Sequence, residues 1–234
     1  MATYIQSCRS PMGKCGQRRR KGINIMEKSK LFEAATNYDF EVIRAFVADG
    51  GDLNICNDRG HSLLACFVEG YYYYENEDPE ELALWDLHDE GDYDFWDAYV
   101  HKYQRTPLED RPSNIFEKLE YLFSHGIDPN LCIMVDGSTE TALMHSVCRH
   151  DYYMTKYLLE HGADPGVRLF PKPDYEMRDR EYWLMDELDI SIMNGDKGDR
   201  AKLTLNVAHL LWEYGLRDWG GYCIDIDKNV GVIG

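Results

Sequence analysis

The chain has 234 residues, 44% of them apolar, and 42 acidic against 25 basic side chains give it a formal charge of −17 at pH 7. That length suits one domain or a short array, with ample apolar content for a core. The acidity argues against nucleic acid and anionic membrane surfaces, both of which attract clustered Lys and Arg. No apolar run of ~18 residues exists to cross a bilayer, and no apolar segment follows the early basic residues as in a signal peptide. The charge has two readings of equal weight: solubility, or electrostatic attraction of a basic partner.

Residues 1–25 differ from the rest. They hold Arg9, Lys14, Arg18, Arg19, Arg20 and Lys21 with no acid, so the remaining chain carries −23. A basic arm with few apolar residues is expected to be disordered. It reads as a nucleic-acid or nuclear-targeting patch, as an interaction tail, or as no native protein at all. We favour the third. Purine-rich codons of a bacterial ribosome-binding site, if translated, would encode Arg18-Arg19-Arg20-Lys21-Gly22, and Met26 opens directly into helical sequence. On this reading the native start is Met26 and the source is bacterial. Native protein beginning at Met1 or Ala2 would refute it.

From Ser29 to Asn54 the spacing predicts two helices. Leu31, Ala34 and Ala35 face inward from the first, with Ser29 as its cap. Phe40, Ile43, Phe46 and Val47 do so from the second, which Asp39 starts. Asn57 to His61 reads as a hairpin tip that exposes Asp58 and Arg59. A helix then begins at Ser62, and another runs from Ile115 to Phe123.

Between them, residues 71–113 read as an insertion. They hold thirteen acids against Lys102, Arg105 and Arg111, a net −10. Ten aromatics accompany them: Tyr71 to Tyr74, Trp85, Tyr93, Phe95, Trp96, Tyr99 and Tyr103. Pro79-Glu80-Glu81 marks one helix start, with acids at the positive end of the dipole. Asp92 to Tyr103 predicts another, with Phe95, Trp96, Tyr99 and Tyr103 along one side. Rings at helical spacing pack inward, and the remaining rings and carboxylates make a binding surface.

The sharpest pattern is Thr141 to Gly166, TALMHSVCRHDYYMTKYLLEHGADPG. Leu143, Ser146 and Val147 share one face of a helix, and Met154, Tyr157, Leu158 and Leu159 share one face of the next. Gly162 stands where a helix needs a left-handed residue, and Pro165 cannot continue it. A hairpin tip precedes this stretch at Ile133 to Ser138, with Met134, Val135 and Asp136 at an exposed turn. A long link follows from Gly162 to Asp186, then a small insertion near Asn194 to Lys202. A helix from Val207 to Tyr214 ends at Gly215. Residues 221–234 are expected to cap the last apolar face, with Ile224 and Ile226 in a short strand.

The pieces repeat. GGDLN at Gly50, HGIDPN at His125 and YGLRD at Tyr214 echo the close at Gly162, and Ser29 precedes Gly50 by the 21 residues that separate Thr141 from Gly162. The chain resembles the ankyrin repeat, a helix–turn–helix plus turn of about 33 residues, in four copies over residues 26–220. The TPLHxA opening of that family survives in degraded form as SKLFEAA, SLLACFV, TALMHSV and, from Asp186, DELDISI. Its histidine is absent from all four. The glycine between the helices is replaced by Tyr38 and by His150, which predicts turns of different shape. The spacing of 76 residues from Gly50 to Gly126 leaves about 43 extra for the insertion. The resemblance implies an all-α solenoid that recognises proteins through its hairpin tips and the inner face of its first helices.

No GxSxG, P-loop, HExxH or GxGxxG occurs. His150-Asp151 falls at an interhelical turn and reads as structural rather than metal-binding. Glu80 with Glu81, and Asp92 with Asp94, do not match the spaced ligands of a calcium loop. His61, His125 and His161 are expected to titrate at most as partner contacts. Seven cysteines form no CxxC pair, and Cys56, Cys66, Cys132 and Cys148 read as buried thiols in a reducing cytoplasm.

The expected function is thus non-catalytic, without cofactor or metal. It is the binding of a basic protein by a cytoplasmic monomer, in the manner of a bacterial toxin-neutralising immunity protein. The candidate contacts are Tyr72, Tyr74, Trp85, Asp92, Tyr93, Asp94, Trp96, Tyr99, Asp58, Arg59, Met134 and Asp136. The alternatives are a scaffold whose acidity serves only solubility, and a metal-dependent enzyme using the carboxylates of the insertion.

Overall fold

Apolar residues three and four apart do build the helical pairs. A computed structural model describes residues 25–75, 106–133, 140–166, 168–169, 182–183 and 199–216. The elements are α1 (Ile25–Thr36), α2 (Phe40–Ala48), α3 (Leu63–Glu75), a 3-10 turn (Leu108–Asp110), α4 (Ile115–Ser124), α5 (Ala142–Cys148), α6 (Tyr152–Glu160) and α7 (Asp199–Glu213). Two strands of two residues each, β1 (Arg168–Leu169) and β2 (Tyr182–Trp183), pair antiparallel between α6 and α7. The fold is all-α, with this ribbon as a minor addition.

The first helices stack in a row, α1 on α3 and α3 on α5, while α2 pairs with α1, α6 with α5, and α7 with α6. Leu31, Ala35, Leu63, Leu64, Phe67, Leu143 and Val147 fill the seam and are buried. Each such aliphatic or aromatic side chain contributes about 1.5–3 kcal/mol by leaving water. Gly70 allows α3 to lie against the end of α1, since a Cβ there would collide with the Ala35 and Thr36 carbonyl oxygens. The second helices meet through rings. Phe40 sits edge-on to Tyr121 at 5.5 Å between centroids, and Phe116 and Phe123 sit edge-on to Tyr157 at 5.9 and 5.6 Å.

Each second helix closes in the same way. Gly50, Gly126 and Gly162 have φ of 81°, 79° and 89°, and donate their N–H to Val47, Phe123 and Leu159, which satisfies carbonyls left open at the helix end. Beyond each close an Asx turn follows, with Asp52, Asp128 and Asp164 accepting from the backbone two residues on. The asparagines at that position reach across to the next turn. Asn54 donates to the Gly126 carbonyl at 2.9 Å and accepts from the Asp128 N–H at 2.7 Å. Asn130 does the same to Gly162 and Asp164 at 2.8 and 2.7 Å. The corresponding residue of the third close is Gly166, which has no side chain to extend the series.

Several expectations need correction. Ser29 does not cap α1, because that helix starts at Ile25 and Ser29 lies exposed within it. The turns at Tyr38 and His150 are not different in shape. Both residues, and Asn114 at the same place, are left-handed with φ of 57°, 53° and 53°. Their side chains show why a residue other than glycine is held there. Tyr38 donates to the Ser113 carbonyl at 3.3 Å, and His150 Nδ1 lies 3.0 Å from the Thr204 hydroxyl, so each ring locks onto the next pair. Last, α7 begins at Asp199 rather than Val207, which absorbs part of the insertion expected near Asn194 to Lys202. The arm at 1–24, the segment at Asp186, Met134, Val135 and Asp136, and the tail at 221–234 lie outside the described residues.

Candidate functional site

Two surfaces merit functional scrutiny: the roots of the acidic segment and a cleft at the hairpin tip. At the roots, α3 does not stop at Tyr71 as expected but runs through Tyr71 to Glu75, and the chain is described again from Thr106. Tyr71 and Tyr72 are therefore core residues, 0% and 1% exposed. Tyr72 was expected as a partner contact, and its burial removes it from that role. Its hydroxyl instead donates to Asp151 Oδ2 at 3.0 Å.

Arg111, at the far root, grips the same carboxylate with both prongs, Nη1 to Oδ2 at 2.6 Å and Nη2 to Oδ1 at 2.8 Å. Its Nη1 also donates to the Tyr71 hydroxyl at 2.9 Å, and its Nε to the Thr106 carbonyl at 3.0 Å. Asp151 further accepts the Met154 N–H at 3.0 Å, capping α6. Burial alone would lower the guanidinium's pKa, but the adjacent Asp151 carboxylate reverses this and holds it above the ordinary arginine value. The two residues of the His150-Asp151 doublet thus have separate structural partners: His150 meets Thr204, and Asp151 holds Tyr72 and Arg111 at the two roots of the insertion.

The second surface begins with the tip. Cys56 bridges antiparallel to Ser62, and Asn57 Oδ1 accepts from the Arg59 and His61 amides at 2.9 and 3.0 Å, which fixes the loop. Asp58 and Arg59 project into solvent there, and Asp58 pairs with Lys28 of α1 at 3.3 Å. Between the tip and the first helices lies a cleft of about 490 Å³, lined by Lys28, Phe32, Arg59, His61, Glu69 and Glu140 among others. His61 Nδ1 stands 3.4 Å and His145 Nε2 3.7 Å from Glu140 Oε2. Burial, followed by the neighbouring Glu140 charge, raises the Glu69 pKa. Burial also pushes the Cys66 thiol up to about 12, so at neutral pH it is protonated and a poor nucleophile. His145 falls to about 4 through burial, aided by His61 and Arg149, so it is neutral at pH 7.

Among the expected contacts, Tyr74 remains half exposed, with its ring 5.0 Å from that of Tyr38. Trp85, Asp92, Tyr93, Asp94, Trp96 and Tyr99 lie outside the described residues, as do the carboxylates of the metal-enzyme alternative. Among the described residues no group of three His, Cys, Asp or Glu is arranged to hold a metal ion, and no helix is long and apolar enough to cross a membrane. Sequence reasoning missed the cleft carboxylates. It singled out neither Glu69, one polar position in the apolar sequence of α3, nor Glu140, the residue before the Thr141 cap.

No curated protein matches this chain. Residues 140–168 match the ankyrin repeat family model, a stretch that holds α5, α6, the close at Gly162 and part of the ribbon. Over these residues the chain is similar to an ankyrin repeat, the unit of a class of protein–protein interaction modules.

Proposed function

We propose that the chain is a four-repeat ankyrin solenoid that binds a basic protein through its acidic, aromatic segment and its hairpin tips. The recurrence of the glycine closes at Gly50, Gly126, Gly162 and Gly215 supports the count of four. The observation that carries the binding proposal is the clasp at the roots. Residues carrying most of the net −10 lie in the chain between Tyr72 and Arg111, and these two described residues on either side of them are both fastened to Asp151. A segment serving solubility alone has no need of a buried anchor, whereas a binding segment gains from being held in register with the repeat beside it. Carboxylates steer a cationic partner and aromatics anchor it. A bacterial, cytoplasmic, monomeric immunity-type binder that covers a cationic active site is the specific form we favour.

The test is capture from lysate at low and high salt with the full chain and with a variant in which a short Gly-Ser linker replaces residues 76–105. That deletion spares Tyr71, Tyr72 and Arg111, so the clasp survives. A basic protein held only by the full chain, and released by salt, is the expected result. Equal, salt-insensitive capture by both forms would overturn the proposal in favour of a scaffold.

A further inference from the structure

The cleft contains two carboxylates that receive no hydrogen bond among the described residues. Glu69 is half-buried on α3, and among the described residues no donor forms a hydrogen bond to its side chain. Glu140, which lines the same cleft, has the imidazoles of His61 and His145 at 3.4 and 3.7 Å from its Oε2. A half-buried carboxylate beside a like charge is unfavourable until a donor arrives. A second, separate observation points the same way. His145 Nε2 is buried, finds no hydrogen-bond partner among the described residues and lies 3.7 Å from Glu140 Oε2. A neutral imidazole left so costs free energy that a bound group could recover.

We propose that this cleft is a socket for one lysine or arginine side chain of the protein partner, its charged head held between Glu69 and Glu140. Phe32 and the Cys66 thiol, which line the same space, give the aliphatic stem an apolar floor. The volume of about 490 Å³ admits such a side chain together with the backbone around it. Lys28 does not occupy the role, because it is turned to Asp58 at 3.3 Å. The groups around Glu69 are Lys28 from α1, Asp58, Arg59 and His61 from the tip, Cys66 of its own helix, Glu140, and Arg149 at the end of α5, while His145 faces Glu140. This inference rests on the basic-partner reading but locates a contact outside residues 76–105.

The test uses the full chain and three small probes: Nα-acetyl-lysine methylamide, its arginine counterpart, and the uncharged norleucine analogue. Side-chain carboxyl carbon-13 shifts of glutamate are followed by NMR. Both cationic probes are expected to shift Glu69 and Glu140 saturably and to lower the titration midpoint of Glu69, while norleucine does neither. Binding should weaken as pH falls through that midpoint, because a protonated carboxyl no longer attracts the cation. Glu69→Gln and Glu140→Gln, near-isosteric on a partly open surface, should each weaken it about tenfold. An equal response to norleucine, or unchanged affinity in both variants, would overturn the socket. Should the probes fail while salt-sensitive capture of a basic protein persists, the socket falls and the basic-partner reading stands. Saturable probe binding with no salt-sensitive partner would do the reverse.

Discussion

Arg111 and Asp151, forty residues apart, form a two-pronged ion pair at 2.6 and 2.8 Å with their side chains only 3% and 0% exposed. Taking two charges from water is expensive, and the cost is offset only when every remaining donor and acceptor is used. Here Thr106, Tyr71, Tyr72 and the Met154 amide use them. Removing one partner strands the other. Arg111→Met or Asp151→Asn alone is expected to cost about 4 kcal/mol, read from urea unfolding. The double variant should lose less than the sum of the two, since neither charge is left alone. Strictly additive losses would show that the two groups are not a unit.

The asparagine bridges make a milder prediction. Asn54 and Asn130 each join one close to the next with two hydrogen bonds at an exposed edge. Asn54→Ala and Asn130→Ala are each expected to cost about 1 kcal/mol. The local readout is more telling. Amide exchange should quicken at Asp128 in the first variant and at Asp164 in the second, with little change the other way round. Uniform quickening in both would mean the bridges act only through global stability.

Why one part of this molecule was readable from sequence and another was not follows from the range of the forces involved. The faces of α5 and α6 were legible because helical periodicity is local, and Leu143, Val147, Met154 and Leu158 are indeed buried. Gly162 was legible because the left-handed close leaves little choice of residue. Tyr72 was misread because counting to a repeat of about 33 residues assigned it to the insertion. In fact α3 simply continues to Glu75 and buries it. The turns at Tyr38 and His150 were misread for a related reason. Local steric cost argued against a left-handed residue with a large side chain, but contacts with Ser113 and Thr204, 75 and 54 residues away, hold it there. The Arg111–Asp151 clasp and the pairing of Glu69 with Glu140 have no local signature at all.

Those left-handed positions yield a prediction of opposite signs. All three sit near φ of 55°, a region that favours glycine. Tyr38 is buried, stacks on Phe67 at 5.1 Å between centroids and donates to Ser113, so Tyr38→Gly should cost about 3 kcal/mol despite relieving the backbone. Asn114 is exposed and makes no side-chain cap bond. Asn114→Gly should therefore be neutral or stabilising, within about 1 kcal/mol. Thermal unfolding of both variants checks the contrast, and a large loss at Asn114 would mean its side chain carries a role the fold does not reveal.

The last prediction concerns acid. Burial holds His145 at about 4, well under its ordinary 6.5. A base whose folded pKa is depressed contributes stability in full above the unfolded value, because neither state then binds the proton. As pH falls below 6.5 the unfolded chain takes up a proton that the native protein refuses, and stability drains away until the pH reaches about 4. At about 1.4 kcal/mol per pH unit this single group can account for at most about 3 kcal/mol across that window. Glu69 works in the other direction. Its raised pKa, set by burial and then by Glu140, lets the native protein bind a proton before the unfolded chain does, and so softens the acid loss. Urea unfolding at a series of pH values should show a falling stability between about pH 6.5 and pH 4. That slope should flatten in His145→Gln and steepen in Glu69→Gln. An unchanged slope in His145→Gln would show that this histidine is accessible to protons in the folded protein.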